Sequence, residues 1–249
     1  MGAEAAVHQL KESGQYKQVL AGTSCPVDVI RTGVGDEDEQ VRIEVMDNPN
    51  APEDVLRAGV GDERQWVREA AVSNQRAPED VIRAGAMDKD EWVREAAVGH
   101  SGALEDVIRQ GAEDEAWEVR RAAVANPSAP ETVIRVGMED HVPDVRVAAV
   151  GNPSAPDDVI RQGAEGEAWE VRRAAVANPS APEDVIRAGA VDADWLVQVA
   201  AARHSRLPED VAEELSRSAV VAIQRALAEN PSVPERIRVV ARMRMPDSR

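Results

Sequence analysis

Residues 178–203 read Asn178-Pro179-Ser180-Ala181-Pro182-Glu183-Asp184-Val185-Ile186-Arg187-Ala188-Gly189-Ala190-Val191-Asp192-Ala193-Asp194-Trp195-Leu196-Val197-Gln198-Val199-Ala200-Ala201-Ala202-Arg203. The stretch holds two helix signals with a turn between them. Ser180-Ala181-Pro182-Glu183 has the form of a capping box, and proline is tolerated in a first turn whose N–H groups have no intrahelical partner. Val185 and Ile186 then face inward, and Gly189 is the expected terminator of a two-turn helix, as a residue that accepts a left-handed conformation. Asp192 stands where an aspartate N-cap opens a second helix. In that helix the aliphatic and alanine positions recur at helical spacing.

The same pattern repeats every 26 residues. Pro26, Pro52, Pro78, Pro130, Pro156, Pro182, Pro208 and Pro234 fall in one column, interrupted only by Leu104. Val29, Val55, Val81, Val107, Val133, Val159, Val185, Val211 and Ile237 fall in another. Glycine occupies Gly33, Gly59, Gly85, Gly111, Gly137, Gly163 and Gly189. Aspartate recurs at Asp36, Asp62, Asp88, Asp114, Asp140 and Asp192, with box-like pairs in Asp36…Glu39 and Asp88…Glu91. Asn-Pro pairs such as Asn48-Pro49, Asn126-Pro127 and Asn178-Pro179 close the second helix, because the residue before proline is pushed out of the α region. Segments 111–130 and 163–182 differ only at Asp114 against Gly166, which points to duplication of a two-unit block.

Helices this short are unstable alone, so each unit must draw its stability from its neighbours. Alanine pairs such as Ala96-Ala97, Ala122-Ala123 and Ala174-Ala175 let the second helices approach closely. The fold class expected is an all-α solenoid of about nine two-helix units, stacked at about 10 Å each into a curved rod of about 80 Å. Residues 1–25 read as a cap and degenerate half-unit (Val19, Leu20, Gly22), 26–207 as seven regular repeats, and 208–249 as divergent repeats with a basic tail. Leu215 replaces the column glycine, so longer helices are expected over Pro208–Glu229.

The unit Asn-Pro-x-x-Pro-x-x-Val-Ile/Leu, followed by Asp and Val-Arg, resembles the leucine-rich repeat variant family over about residues 22–240. Asn178 to Ile186 and Val171-Arg172 carry the likeness. HEAT-like solenoids are the second resemblance, with longer helices. The family likeness implies a right-handed superhelix of short helices, one of each pair often 3₁₀, and a tendency to bind macromolecules; it implies no reaction. A cysteine-ligated iron–sulfur cluster precedes the repeats in a founding member. Cys25 is the chain's single cysteine and cannot ligate a cluster alone, so no cofactor is expected.

Composition agrees with thin layers of small aliphatics: the 249 residues contain no Phe, one Tyr and five Trp. A net charge of −17 disfavours nucleic acid and anionic membranes as partners. The segment from Pro234 to Arg249 is the exception, with Arg236, Arg238, Arg242, Arg244 and Arg249 facing only Glu235 and Asp247. The opening residues lack a signal-peptide pattern, and no apolar run reaches the length of a membrane span, so a cytoplasmic location is expected.

Catalysis needs unlike residues converging at one place, and this sequence offers the same residues many times, so the expected role is non-catalytic. His100 and His204 stand in the asparagine column and read as structural mimics of it; His8 and His141 lack metal-ligand spacing. Cys25 occupies the alanine position before Pro26 and reads as a buried small hydrophobe. The acidic loops read as solvated helix caps. Two arginine columns are the candidate binding residues, read either as an ion-pair ladder between units, which the surplus of acids favours, or as a stripe gripping an acidic partner. One is Arg31, Arg57, Arg83, Arg109, Arg135, Arg161 and Arg187; the other is Arg42, Arg68, Arg94, Arg120, Arg146 and Arg172. Trp66, Trp92, Trp117, Trp169 and Trp195 either seal the core edge or form a contact surface. The reading is a scaffold that binds a protein or peptide. Head-to-tail self-association through the basic tail, and nucleic-acid binding or mimicry, are the alternatives.

Overall fold

The computed structural model describes residues 3–12, 14–22 and 24–245. Asp247 and Arg249 of the tail, and the side chain of His8, lie outside the described residues. The chain packs as two compact units, Met1–Ala129 and Pro130–Arg249. Every regular element among the described residues is a helix. The first unit opens with α1 (Ala3–Glu12) and α2 (Tyr16–Leu20). Four pairs follow: α3 (Val27–Thr32) with α4 (Glu39–Asp47), α5 (Glu53–Gly59) with α6 (Gln65–Ser73), α7 (Glu79–Ala86) with α8 (Glu91–Gly99), and α9 (Glu105–Gly111) with α10 (Trp117–Ala125). The second unit continues with α11 (Glu131–Met138) and α12 (Pro143–Gly151), α13 (Asp157–Ala164) and α14 (Trp169–Ala177), α15 (Glu183–Ala190) and α16 (Trp195–Arg203), α17 (Glu209–Leu215) and α18 (Val221–Glu229), and α19 (Glu235–Arg244). This is the expected all-α repeat solenoid of 26-residue helix pairs. The first helices are α rather than 3₁₀.

Burial follows the columns. Ile30, Leu56, Ile108, Ile134, Ile160 and Ile186 of the first helices are fully inaccessible, as are Val67, Val93, Val119, Val145 and Val197 of the second. Each such side chain contributes about 1.5–3 kcal/mol on leaving water. Within each unit the second helices lie closer to one another than the first helices do. Alanines Ala97, Ala123, Ala149, Ala175 and Ala201, all fully buried, permit that approach.

Local details of the repeat depart from the sequence expectation. No serine capping box forms: α15 starts at Glu183 with Pro182 as an extended N-cap that makes no side-chain bond, and Ser180 instead donates its N–H to Asn178 Oδ1 at 2.8 Å. Leu104 adopts the same extended backbone (φ −80°, ψ 159°) as Pro78 (φ −74°, ψ 162°), so proline presets this conformation without being required for it. The aspartate column lies two residues ahead of the second helix's N-cap. Asp88 Oδ1 accepts from Asp90 N–H at 2.9 Å, and Asp90 is the residue that caps α8, accepting from Trp92 N–H at 3.1 Å.

The glycine column does not provide left-handed ends, since Gly14 is the one described residue with positive φ. It provides clearance. A Cβ on Gly111 would stand 2.6 Å from both methyl carbons of Val98, and one on Gly189 2.5 Å from Val176 Cγ2. Nor are the helices over Pro208–Glu229 longer: α17 has 7 residues and α18 has 9, the length of the other second helices. Leu215 is itself buried in place of the glycine.

Candidate interaction surface

Two ladders run between the repeats and absorb most of the polar columns. The first is made by asparagine. Asn74 Nδ2 donates to Met46 O (2.6 Å) and Asn48 O (3.0 Å) of the preceding repeat, while its Oδ1 accepts from Arg76 N–H at 2.9 Å. Asn178 and Asn230 repeat the arrangement, and Asn48 reaches the half-unit through Leu20 O and Gly22 O. The two histidines reproduce it as expected. His204 Nε2 lies 3.0 Å from Asn178 O, and its Nδ1 accepts from Arg206 N–H at 3.0 Å, which places the ring proton on Nε2. His100 does the same between Asn74 O and Gly102 N–H.

The second ladder is made by the inner arginine column. Arg68 sends Nε and Nη2 to the two oxygens of Asp88 in the next repeat (2.7 and 2.9 Å), and Nη1 to Asp62 O and Glu63 O in its own (3.0 and 3.1 Å). Arg42 pairs with Asp62, Arg94 with Asp114 and Arg172 with Asp192 in the same bidentate geometry. Arg120 and Arg146 keep the Nη1 anchor, to Asp114 O (2.9 Å) and Asp140 O (2.7 Å). The bond to Arg172, joined by the N–H of Asp194, holds the Asp192 carboxyl below its ordinary range against the opposing cost of desolvation. Asp88 is also held down: desolvation raises it, and Arg68 together with the Asp90 N–H outweighs that.

The outer arginine column is exposed and equally engaged. Arg57 bridges Asp80 of the next repeat (2.6 Å) and Glu53 one turn back (2.9 Å). Arg31 pairs with Asp54, Arg83 with Asp106 and Glu79, Arg135 with Asp158 and Glu131, Arg161 with Asp184, Arg187 with Asp210 and Glu183, and Arg109 with Glu105. The ladder is thus the arrangement the structure contains. In the basic tail, Arg236 is held between Glu209 and Glu213, and Arg238 and Arg242 meet Glu235. Cys25 is buried, and burial pushes its thiol above the ordinary range. His141 is an exposed loop residue 3.4 Å from Asp140.

The tryptophans sit in the first turn of the second helices. Trp66, Trp92 and Trp195 are 52%, 46% and 47% exposed, and Trp117 is 37% exposed. Arg121 stacks over Trp117 at 6.0 Å and Arg173 over Trp169 at 5.8 Å, one turn on. The tryptophans therefore edge the solvent face of the second-helix row.

That face differs between the two units. In the first it carries Glu44, Asp47, Glu69 and Glu95. Asp47 opens into a crevice with Pro49, Ser73, Asn74 and Arg76, and desolvation there, with Glu44 nearby, raises its carboxyl; desolvation and the charges of Asp90, Glu95 and Asp47 raise Glu69. In the second unit a groove of about 330 Å³ opens between α14 and α16. Ala174, Ala177, Leu196, Val199 and Ala200 form its floor, and Arg173 and Arg203 flank it. Among the described residues neither arginine has a carboxylate partner. The sequence does carry a signal for this face. The column Glu69, Glu95, Arg121, Val147, Arg173, Val199, Arg225 changes its chemistry from repeat to repeat, whereas the columns that stay constant make the ladders.

No helix of the described residues is long and apolar enough to cross a membrane. No protein-family model matches the sequence. None of the curated proteins matches it. Among solved structures, one described as a leucine-rich repeat variant with a novel repetitive structural motif is 21% identical and superposes with a TM-score of 0.57, over 82% of this chain and 82% of its own. The Escherichia coli protein YibA, 17% identical over 96% of this chain and 97% of its own, superposes at a TM-score of 0.47, too low to bear on the assignment. The short α-helical pairs, their 26-residue register and this superposition together give the chain the α-solenoid fold of a leucine-rich repeat variant.

Proposed function

We propose that the chain is a non-catalytic scaffold that binds a protein partner on the solvent face of its second-helix row. The observation that carries this is the placement of the tryptophans. In a chain with no Phe and one Tyr, four of the five Trp stand at least one-third exposed, each in the first turn of a second helix. Tryptophan and arginine dominate the energetics of protein interfaces, and apolar area left in water has no stabilising role in the monomer. Most arginines of the two ladders are already paired with carboxylates of this chain, so the recognition surface is the variable column between the tryptophans and the asparagine ladder. The flat −17 charge balance argues for a protein rather than a polyanion.

A photo-crosslinking amino acid at Trp92 or Trp195, compared with one at the exposed Val136 of the first-helix side, tests the reading in extracts of the source cells. Adducts of one mass at the tryptophan sites and none at Val136 are expected. Equal labelling at all three positions removes it.

A further inference from the structure

We propose that Arg146, Gly166 and Ala168 form a binding site for a carboxylate supplied from outside the chain. The inner ladder shows how this fold holds a carboxylate. At four places an arginine aims its Nε and Nη2 edge at an aspartate 20 residues on: Asp62, Asp88, Asp114 and Asp192. That aspartate also takes a backbone N–H two residues further along, from Arg64, Asp90, Ala116 and Asp194. Three donors therefore converge on each carboxylate.

Twenty residues beyond Arg146 the column holds Gly166. Arg146 is nonetheless oriented like its counterparts, because Nη1 donates to Asp140 O at 2.7 Å as Arg94 Nη1 does to Asp88 O at 3.0 Å. The Gly166 loop also keeps its place: Arg172 Nη1 donates to Gly166 O at 3.0 Å and to Glu167 O at 2.7 Å. The Nε and Nη2 donors of Arg146 and the N–H of Ala168 thus point at the position of a carboxylate that this repeat does not encode. None of the three has an acceptor among the described residues. Glu165 and Glu167 flank the glycine, and neither forms an ion pair with Arg146. Arg146 and Gly166 are both partly open to solvent, so the position is reachable.

The ligand chemistry follows from the four occupied sites. A planar guanidinium edge matches the two oxygens of a carboxylate bidentately, and the backbone amide adds a third donor to one of them. The carboxylate comes either from a small free acid or from an Asp or Glu side chain of a partner.

The test titrates the full chain with sodium acetate against sodium chloride at matched ionic strength. Amide and arginine Hε signals are followed by two-dimensional NMR in wild type, Gly166→Asp and Arg146→Gln. Saturable shifts of Ala168 N–H and Arg146 Nε–H in acetate are expected in wild type and absent in both variants. Gly166→Asp, which supplies the missing carboxylate internally, raises the melting temperature in chloride and no longer responds to acetate. Asp114→Gly transfers the acetate response to Arg94 and Ala116. An acetylated, amidated Gly-Asp-Gly peptide binding more tightly than acetate assigns the site to a partner side chain; the reverse order assigns it to a free acid. Shifts no larger in acetate than in chloride, shifts that survive Gly166→Asp, or preference for inorganic phosphate each overturn the proposal.

Discussion

Replacing Gly111 by alanine sets two physical effects of opposite sign against each other. Gly111 is the last residue of α9 and has no positive φ. On backbone grounds alone, alanine at a helical glycine stabilises by about 1 kcal/mol. The added Cβ, however, lands 2.6 Å from Val98 Cγ1 and 2.6 Å from Cγ2, and Val98 is itself 1% exposed, with no open space to retreat into. Overpacking of this kind costs about 1–3 kcal/mol. The net expectation is destabilisation by about 1 kcal/mol. Gly99 provides the control. It ends α8 in the same unit, and its nearest neighbour to an added Cβ is Ala122 Cβ at 3.8 Å, an ordinary contact. Gly99→Ala should therefore raise stability while Gly111→Ala lowers it. Urea unfolding followed by far-UV circular dichroism reads both as shifts of the midpoint at constant m. Adding Val98→Ala to Gly111→Ala should recover stability relative to Val98→Ala alone, since the new methyl fills the space released. A Gly111→Ala midpoint that rises in step with Gly99→Ala would refute the account of the glycine column as clearance between helices.

Three further outcomes follow from the ladders. Asp88→Asn removes the charge facing Arg68, which is 5% exposed, and should cost about 2 kcal/mol in thermal or urea unfolding, whereas Asp80→Asn in the exposed outer ladder should leave the midpoint unchanged. Asn178→Ala strips the donors to Val150 O and Asn152 O and should cost about 2 kcal/mol, while Asn178→His should retain most of the stability, because histidine already fills this role at 100 and 204. Acid stability divides by sign. Asp88 and Asp192 are held below their ordinary 3.8, so their stabilisation is present above that value and is lost as pH falls through their lowered values. Asp47 and Glu69 are raised, so their effect is greatest below their ordinary values and fades as pH rises through the raised ones. Melting temperature should therefore gain slightly as pH falls through the raised values of Asp47 and Glu69, and drop as pH falls on through the lowered values of Asp88 and Asp192.

The repeat, its period and its helical content were legible because burial imposes the same demand 26 residues apart. Ile134, Ile160 and Ile186 are apolar for one reason, and the sequence displays that reason three times. The roles of polar residues were less legible. Asp88 suits an N-cap equally well by composition, and only the geometry shows that Asp90 caps while Asp88 receives Arg68. The glycine column has two physical explanations that look identical in sequence, and the backbone angles decide between them. The groove between α14 and α16 escapes the repeat pattern for a different reason. Its residues, Arg173, Leu196, Val199 and Arg203, come from columns that do not repeat, so periodicity gave no cue to them.

The asparagine ladder also constrains how such a chain can change its length. An asparagine rung bonds carbonyls 26 and 28 residues upstream, as Asn178 does with Asn152 and Val150, and a histidine rung the one 26 upstream. A single inserted or deleted residue shifts a rung out of reach of both acceptors and turns a buried amide into an unsatisfied one. Gain or loss of whole units leaves every rung intact. The near-identity of 111–130 and 163–182 is what growth in complete steps would leave behind.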